Sequence, residues 1–471
     1  MPRLSDLTPA GTGPDPIRDP APAGVGRLRR PAPSTLVCMR DFLSTVIGKS
    51  VRQVARLRGG GSALPGLVVE KLDPGYLARV LGRLPHGVVA VSGTNGKTTT
   101  TKMIVEILEA QGLRVFTNRT GSNFSRGVVA AAVQESSIGG RLAADIAVLE
   151  LDEAHAMHFI AKVKPRHTLL LNVLRDQLDR FGEIDATAKL LQRIADATTD
   201  GVVVNREDPL LAAVGARVAE SGRGVAVREF GLSPKLRAMF PSDDDFHAGA
   251  PADDAPEVET PDSGAADVTL VEVGDHSAVF RIDGEDRATT LKLEGLYNTF
   301  NAAAALSTVR MVLGDADPDA LLSALSEVRP AFGRGEQLVL DGQPLELVLV
   351  KNPAGFRLAL ASFAPEGVGT MIAINDQYAD GRDMSWLWDV DFASLASEGV
   401  DTVSGARAWD MALRLEHDDV AVGTVQEDLA AALAGFRERT PGRPRRIFCT
   451  YTAMLALRKE LATLTDVEEI W

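Results

Sequence analysis

The chain has 471 residues, 45% of them hydrophobic and 24% charged, which is ordinary for a soluble globular protein of two or three domains. Its formal net charge of −14 argues against nonspecific binding to nucleic acid. Two cysteines, Cys38 and Cys449, are too few for a disulfide framework, and no apolar run reaches the roughly 18 residues of a membrane span. We therefore expect a cytoplasmic protein.

The N-terminal part of the chain changes character twice. The first 34 residues hold eight prolines and no apolar core, so we expect residues 1–36 to be a disordered leader and not a signal peptide. Residues 37–84 mix an apolar helical pattern with basic residues and predict a helical segment. Arg52, Arg56 and Arg58 could face anionic lipid or solvent, and we interpret them as a solvated face.

A strand, a glycine-containing loop and a helix are predicted over residues 87–108. Many proteins that bind nucleoside triphosphates use these three elements in this order. Residues 88–91 form the predicted buried strand. The loop residues that we predict to bind the nucleotide are Gly93, Thr94, Asn95, Gly96, Lys97, Thr98 and Thr99. The loop is shorter than the general P-loop pattern, but Lys97 can reach the β- and γ-phosphates and Thr98 can ligate Mg²⁺. The chain is therefore predicted to bind ATP or a close relative.

Strands and helices alternate after the loop, which predicts a mostly parallel sheet with helices on both faces. The predicted strands cover residues 145–151, 167–173 and 201–204, with a helix over residues 186–197. Ligands of such sheets bind at the C-terminal ends of the strands. Glu150 stands at such an end, where a carboxylate can hold Mg²⁺. Asp152 and Glu153 are second candidates, and a solvated acidic turn is the alternative.

The character of the sequence changes again over residues 223–286. Residues 242–262 contain eight carboxylates, three prolines and no lysine or arginine, so we expect a flexible acidic insert. Short strands follow, and then residues 295–301 predict a turn that opens a helix. We place all of this within an ATP-binding middle domain that spans residues 85–325.

A polar connection over residues 329–336 leads into a second alternating region, which predicts a Rossmann-like α/β domain over residues 326–471 without a phosphate loop. Its predicted strands cover residues 346–350, 370–374, 400–403 and 447–450. Cys449 lies in the last of them, where a small core residue is its expected role. The dense polar cluster of this domain, residues 375–389, directly follows a predicted strand.

Several of these motifs, in this order along the chain, resemble those of the Mur ligase superfamily. They are Gly93-Thr-Asn-Gly-Lys-Thr-Thr, Glu150-Leu-Asp-Glu-Ala, residues 172–176, residues 205–208 and residues 295–301. The resemblance implies a Mur ligase-like P-loop middle domain and ATP-dependent ligase chemistry. In that chemistry Lys97 would hold the phosphates, while Thr98 and Glu150 would hold Mg²⁺. Asn301 would help to seat the nucleotide.

Further stretches resemble the MurT family of that superfamily more specifically. They are Arg175-Asp-Gln-Leu-Asp-Arg-Phe-Gly-Glu, Phe332-Gly-Arg-Gly-Glu, Lys351-Asn-Pro-Ala-Gly and residues 375–389. MurT proteins are the ligase subunits of lipid II isoglutaminyl synthase. The family implies ATP-dependent amidation of the α-carboxylate of the stem-peptide D-glutamate to D-isoglutamine, at the inner face of the membrane that carries lipid II. The resemblance covers residues 51–461 and implies Arg334 as a further nucleotide contact.

The resemblance also implies a partner protein. Neither cysteine has the sequence context of a glutaminase nucleophile. MurT proteins receive ammonia from a GatD-like glutamine amidotransferase, with which they form a heterodimer. The family assigns MurT an aspartate that orients the partner's catalytic histidine, and the motif match makes Asp383 this residue. Asp380 is the fallback, and a cap on the following turn is the alternative role of Asp383.

Three further features bear on the alternatives. Gln177 stands where many amino-acid-adding Mur ligases have a metal-binding histidine, which argues against such a ligase or a folylpolyglutamate synthetase. Intact Lys97, Thr98 and Glu150 argue against a noncatalytic ATP-dependent scaffold. MurT proteins commonly carry a four-cysteine zinc ribbon in the middle domain, but residues 223–286 contain no cysteine. We therefore expect no zinc in this protein.

Overall fold

The computed structural model describes residues 35–57, 64–118, 125–174, 184–237, 266–274, 276–292, 296–314, 316–329, 334–362 and 365–467. Residues 1–34 of the predicted leader, the acidic run over residues 242–262 and Gln177 lie outside this part of the chain. Within it, three N-terminal helices precede two sheets, which belong to the predicted middle and C-terminal domains.

The N-terminal helices are α1 (Thr35–Leu57), α2 (Leu64–Leu72) and α3 (Tyr76–Leu81). The inward side of α1 is polar. Asp41 is buried and accepts hydrogen bonds from Arg79 Nε, at 2.9 Å, and from Arg83. Ser44 Oγ donates to Asp73 at 2.7 Å. These bonds determine which side of α1 faces the protein. None of the helices in the described ranges is long and apolar enough to cross a membrane.

The first sheet consists of β1 (Val88–Ser92), β2 (Val115–Thr117), β3 (Ile146–Glu150), β4 (His167–Leu170), β5 (Gly201–Asn205), β6 (Ala226–Leu232), β7 (Val268–Gly274), β8 (Ser277–Ile282) and β9 (Glu285–Thr290). Their spatial order is β2-β3-β1-β4-β5-β6-β7-β8-β9. Neighbours from β2 to β7 are parallel, and β8 and β9 add two antiparallel pairs. The prediction of a mostly parallel sheet is confirmed.

Helices cover both faces of this sheet. They are α4 (Lys97–Ala110), α5 (Ser125–Glu135), α6 (Glu153–Ile160), α7 (Ile184–Ala197), α8 (Pro209–Glu220), α9 (Pro234–Arg237), α10 (Leu296–Leu313) and α11 (Pro318–Glu327). Val89 and Val91 pack into a core with α4 and α10, whereas Val88 and Ala90 pack into a core with α3, α5 and α7. Both faces of β1 are buried, in agreement with its continuously apolar sequence from Val88 to Val91.

Two features predicted within the middle domain, the insert and a turn, have wrong bounds. β6 and β7 lie within the predicted insert of residues 223–286, although residues 238–265 between them are outside the described part of the chain. The charge of Arg228 in β6 obscured the strand pattern, but this side chain lies 3.3 Å from Asp267 in an ion pair. The predicted turn over residues 295–301 is helical from Leu296, because burial of Phe300 overrides the weak helix propensity of this stretch.

The second sheet consists of β10 (Arg334–Leu340), β11 (Gln343–Leu349), β12 (Gly369–Ala373), β13 (Thr402–Ser404), β14 (Val425–Gln426) and β15 (Arg445–Cys449). Their order is β10-β11-β15-β12-β13-β14, and every neighbouring pair except β10 with β11 is parallel. The helices are α12 (Pro353–Ser362), α13 (Ala408–His417), α14 (Leu429–Arg439) and α15 (Tyr451–Leu461), with two short 3₁₀ helices at Ser385–Asp389 and Ala393–Leu395.

This domain agrees with the predicted α/β pattern, although strand boundaries differ by up to three residues, as for β11, which begins at Gln343 and not at residue 346. The predicted polar connection over residues 329–336 runs into β10, because the apolar part of that strand begins only at Leu338. The strand predicted over residues 400–403 begins at Thr402. Cys449 is fully buried in an apolar cluster with α14 and α15, so its predicted role as a core residue is confirmed.

Candidate functional site

Two glycines of the predicted phosphate loop adopt backbone angles that favour glycine. Gly93 has a φ of +131° and Gly96 a φ of +84°. A Cβ atom on Gly96 would lie 2.7 Å from Asn301 Oδ1, and one on Gly93 would lie 3.0 Å from the backbone nitrogen of Asn172. The loop therefore requires both glycines for conformation and for space. It lies between the end of β4 and the first turns of α10.

Lys97 begins α4, and its side chain is buried. Its Nζ donates to the carbonyl oxygens of Gly93 and Thr94, the latter at 3.2 Å, and lies 3.5 Å from Glu153 Oε1. Burial raises the pKa of the Glu153 carboxyl, and the positive charge of Lys97 opposes this rise. The ammonium group is thus surrounded by oxygen atoms, whose place phosphate oxygens can take.

Asn172 holds the loop from the neighbouring strand end. Its Oδ1 accepts from the backbone nitrogen of Asn95 at 2.8 Å, and its Nδ2 donates to the Asn95 carbonyl at 3.1 Å and to the Tyr297 hydroxyl. The backbone nitrogen of Thr94 donates to the Asn172 carbonyl at 3.0 Å. The sequence motif contained Asn172 but gave it no role. The structure assigns it the positioning of the loop.

Glu150 ends β3 beside β1, where it pairs with Val91 just before the loop. Asn118 fixes this strand end: its Oδ1 accepts from Glu150 N at 3.0 Å, and its Nδ2 donates to Glu150 O at 2.9 Å. Within the described ranges no three His, Cys, Asp or Glu side chains form a metal site. Mg²⁺ instead prefers one or two carboxylates with phosphate oxygens and water. The Glu150 carboxylate and the Thr98 hydroxyl, at the ends of neighbouring elements, fit that donor set.

Asn301 lies under the loop at Gly96, within α10. In the described part of the chain, Asn301 Nδ2 and Thr99 Oγ1 are buried and make no hydrogen bond. A buried donor without a partner costs free energy, so two of them beside the loop fit a site for a polar ligand. The predicted contact Arg334 begins β10, but its side chain lies outside the described part of the chain.

The C-terminal domain contacts the phosphate loop directly. Asn95 and Asn352 exchange two amide hydrogen bonds, Nδ2 to Oδ1, at 3.2 Å in one direction and 3.0 Å in the other. Lys351 Nζ donates to the Thr94 carbonyl at 3.2 Å. Asn352 Oδ1 also accepts from Gly355 N at the start of α12. The structure therefore brings a second lysine to the loop, which the sequence contained only as a family motif.

The two candidate aspartates of the C-terminal domain differ in environment. Asp380 is buried and accepts from Thr452 N at 2.7 Å and from Thr452 Oγ1 at 2.5 Å. Asp383 is exposed, and its Oδ1 accepts from Ser385 N at 2.9 Å at the start of a 3₁₀ helix. Hydrogen bonds from the side chain and backbone of Ser385 lower the pKa of the Asp383 carboxyl. Asp383 is thus an ionised, accessible carboxylate, and it also makes the capping contact.

We expect Gly96→Ala to weaken ATP binding by about tenfold or more, because its Cβ would displace the Asn301 side chain from below the loop. Gly112→Ala is the matched control, because Gly112 has the same φ of +84° and open space where the Cβ would lie. Both variants should lose about 1–3 kcal/mol of unfolding free energy through backbone strain. Titration calorimetry with ATP should separate them, and equal ATP affinity in the two variants would contradict the role of Asn301 and the loop.

Two family models match the chain, the Mur ligase middle domain over residues 91–309 and the MurT ligase C-terminal domain over residues 349–454. The lipid II isoglutaminyl synthase (glutamine-hydrolyzing) subunit MurT of Streptococcus pneumoniae is 30% identical over 90% of this chain and 98% of its own length. The subunit of the same name from Staphylococcus aureus is 27% identical over 83% of this chain and 90% of its own.

Among solved structures, the MurF ligase of Thermotoga maritima in complex with ADP matches with a TM-score of 0.61. The match covers 85% of this chain and 84% of that chain at 17% sequence identity. At this identity the likeness shows the fold. It agrees with the predicted combination of a phosphate-loop middle domain and a C-terminal α/β domain.

Proposed function

Since the chain belongs to the MurT family of the Mur ligase superfamily, we propose that it is an ATP-dependent ligase subunit of peptidoglycan synthesis. It amidates the α-carboxylate of D-glutamate in the stem peptide of lipid II, which gives D-isoglutamine. The observation that carries this proposal is the meeting of two domains at the phosphate loop, where Lys97 of the middle domain and Lys351 of the C-terminal domain both donate to Thr94 O.

The site suits a reaction between two anions. A carboxylate oxygen of the substrate attacks the γ-phosphorus of ATP, ADP leaves, and ammonia then displaces phosphate from the activated carbonyl. Lys97 and Lys351 reduce the repulsion between carboxylate and phosphate, because each places an ammonium group beside the loop. Mg²⁺, bound by Thr98 and Glu150, would supply further neutralisation of the phosphate charge. Asn301 would hold the nucleotide from below the loop.

Ammonia is expected from a separate subunit, because neither cysteine has the context of a glutaminase nucleophile. We propose a GatD-like glutaminase partner, in keeping with the word subunit in the names of the relatives. The buried carboxylate of Asp380 is already occupied by Thr452, whereas Asp383 is exposed and ionised. This difference supports Asp383 as the residue that orients the partner's histidine.

The proposal is tested by mixing this chain with lipid II, ATP, Mg²⁺ and either glutamine or ammonium chloride. The readout is the small mass loss on the stem peptide when a hydroxyl is replaced by an amide nitrogen. Amidation with ammonium but not with glutamine would identify the ligase subunit and its need for a glutaminase. Addition of a GatD-like protein should then make glutamine effective. No amidation under any of these conditions would overturn the proposal.

We expect Lys351→Ala to lower kcat/KM for ATP by about 10–100-fold, because a charge-assisted contact to the loop and its phosphates is lost. Lys292→Ala is the control. Lys292 forms an exposed ion pair with Glu327, so its replacement should have little effect. Steady-state kinetics with ammonium as the nitrogen source measure both variants. An unchanged kcat/KM in Lys351→Ala would show that the C-terminal lysine does not serve the nucleotide.

A further inference from the structure

The helix α1 carries its apolar residues on the side that faces away from the protein. A helix on a protein surface normally buries its apolar stripe and exposes its polar residues. In α1 the buried residues include Asp41, Ser44 and Thr45, which form hydrogen bonds with α3 and the segment before it. The exposed large hydrophobic residues of α1 are Met39, Phe42, Leu43, Val46, Ile47 and Val54, and the polar Ser50 and Gln53 are exposed on the same side. We call these hydrophobic residues the α1 apolar face.

The orientation of α1 is determined by specific bonds and not by the apolar residues. Asp41 is fully buried and binds Arg79 and Arg83, and Thr45 Oγ1 lies 3.0 Å from the Tyr76 hydroxyl. Rotation of the helix to bury the α1 apolar face would leave this carboxylate without its partners, at a large cost. The apolar face, which spans about 140° of the helix at 100° per residue, is therefore held outward.

Two basic residues of α1 border the α1 apolar face. Arg40 and Lys49 lie on opposite sides of it at helical spacing, and Arg40 is 65% exposed although it also forms an ion pair with the buried Asp73 at 3.6 Å. Asp41 is the one acidic residue among residues 35–57, and it is buried in ion pairs. This basic border belongs to a chain whose net charge is −14. An outward apolar stripe with flanking Lys and Arg is the pattern of a helix that lies in the interface of an anionic membrane.

We propose that the α1 apolar face docks on the anionic surface of the membrane that carries the lipid-linked substrate. The choice of this occupant rests on the proposed function, because lipid II is held in a bilayer by its lipid chain. Met39, Phe42 and Leu43 enter the headgroup and acyl boundary, while Arg40 and Lys49 remain at the level of the phosphates. The loop after α5 lies beside α1, where Lys49 Nζ donates to Ser136 O at 2.6 Å, and it exposes a further apolar residue, Ile138.

The experiment is co-sedimentation of the full chain with phosphatidylcholine vesicles, with and without phosphatidylglycerol. The test variant carries Phe42→Ser, Leu43→Ser, Val46→Ser and Ile47→Ser, and the control variant carries Val339→Ser and Leu464→Ser, which are exposed apolar residues of the C-terminal domain. The wild type and the control should bind vesicles that contain phosphatidylglycerol. The test variant should bind these vesicles more weakly, by about tenfold at least. Because the replaced side chains are exposed, thermal unfolding should change little.

Absence of wild-type binding, or equal binding by the wild type and the test variant, would overturn the proposal. Three other occupants of the α1 apolar face would each give a different experimental result, and each of these results would also overturn the proposal. A second copy is indicated if the wild type is a dimer in sedimentation velocity and the test variant a monomer. A glutaminase partner is indicated if the test variant no longer forms the complex. Residues 1–34 are indicated if the wild type binds vesicles only after their deletion.

The failure of this inference can be distinguished from failure of the proposed function. Amidation is measured on lipid II in vesicles and on an analogue with a short, water-soluble lipid chain. The test variant should retain its rate on the soluble analogue and lose about tenfold on the vesicle substrate. Equal rates on both substrates would contradict docking but keep the proposed function. No amidation of either substrate by the wild type would contradict the function, while sedimentation would still decide whether α1 binds the membrane.

Discussion

Lys97→Ala is expected to lower kcat for ammonium-dependent amidation by about 10²–10³-fold, because the phosphates lose their fixed cation as charge develops. The buried Glu153 carboxyl also loses the ammonium at 3.5 Å. Burial already raises the pKa of Glu153, and without Lys97 nothing near it opposes that rise as strongly. Loss of Lys97 should therefore raise the pKa of the Glu153 carboxyl further. Single-turnover kinetics with ATP and ammonium chloride measure the effect.

The matched control for this variant is Lys102→Ala. Lys102 lies on the same helix, is also buried, and pairs with Glu106 at 3.6 Å, but it follows the loop by more than one turn. Its replacement should affect stability by an amount similar to that of Lys97→Ala and leave kcat within about threefold. Amidation that survives in Lys97→Ala would favour the noncatalytic scaffold over the ligase. Equal losses in both variants would indicate a general effect on α4.

Asp383→Asn is expected to abolish glutamine-dependent amidation by the complex with the glutaminase, with a loss of about 10³–10⁴-fold. An amide in place of the carboxylate can no longer orient the partner's histidine in the correct tautomer or stabilise its imidazolium. Amidation driven by ammonium chloride should remain at the wild-type rate, because the ligase site is a separate one. The ratio of the two rates in one preparation is the measurement.

Asp391→Asn is the matched control for the capping role of Asp383. Asp391 is also exposed, and its Oδ1 accepts from Ala393 N at 2.8 Å at the start of the second 3₁₀ helix. Both variants should therefore show the same small change in stability. A loss of glutamine-dependent activity in Asp391→Asn as well would point to a general effect of capping. Retention of activity in Asp383→Asn would remove Asp383 from the catalytic role.

The phosphate loop was predictable from sequence because its determinants are local. One short stretch contains, in order, the apolar residues of β1, two glycines, Lys97 and α4. This order alone predicts the strand, loop and helix that hold a phosphate. The position of Glu150 at the end of a strand was predictable for a related reason, since strand ends of a parallel sheet meet at one edge. The family assignment from the combined motifs is confirmed, and so is the α/β class of both domains.

Other features depended on contacts that no local pattern contains. The contact of Lys351 with the loop joins residues 257 positions apart. The helical pattern predicted α1 but not which side faces inward, because the inward side is held by ion pairs of Asp41 with α3 and the turn after it. The motif match favoured Asp383 and kept Asp380 as the fallback, and the different burial of the two carboxylates supports that order. β6 was missed because it contains Arg228, whose charge is paired with Asp267, a residue far along the chain.

The paired amides of Asn95 and Asn352 restrict how these two positions can change. Each side chain both donates to and accepts from the other, so a single replacement by aspartate would set two acceptors face to face. A single replacement by alanine would take from the remaining buried amide both hydrogen bonds of this pair. A variant of the phosphate loop at position 95 is therefore compatible with this structure only if position 352 changes with it. The residue types allowed at position 95 in the middle domain therefore depend on the residue at position 352 in the C-terminal domain.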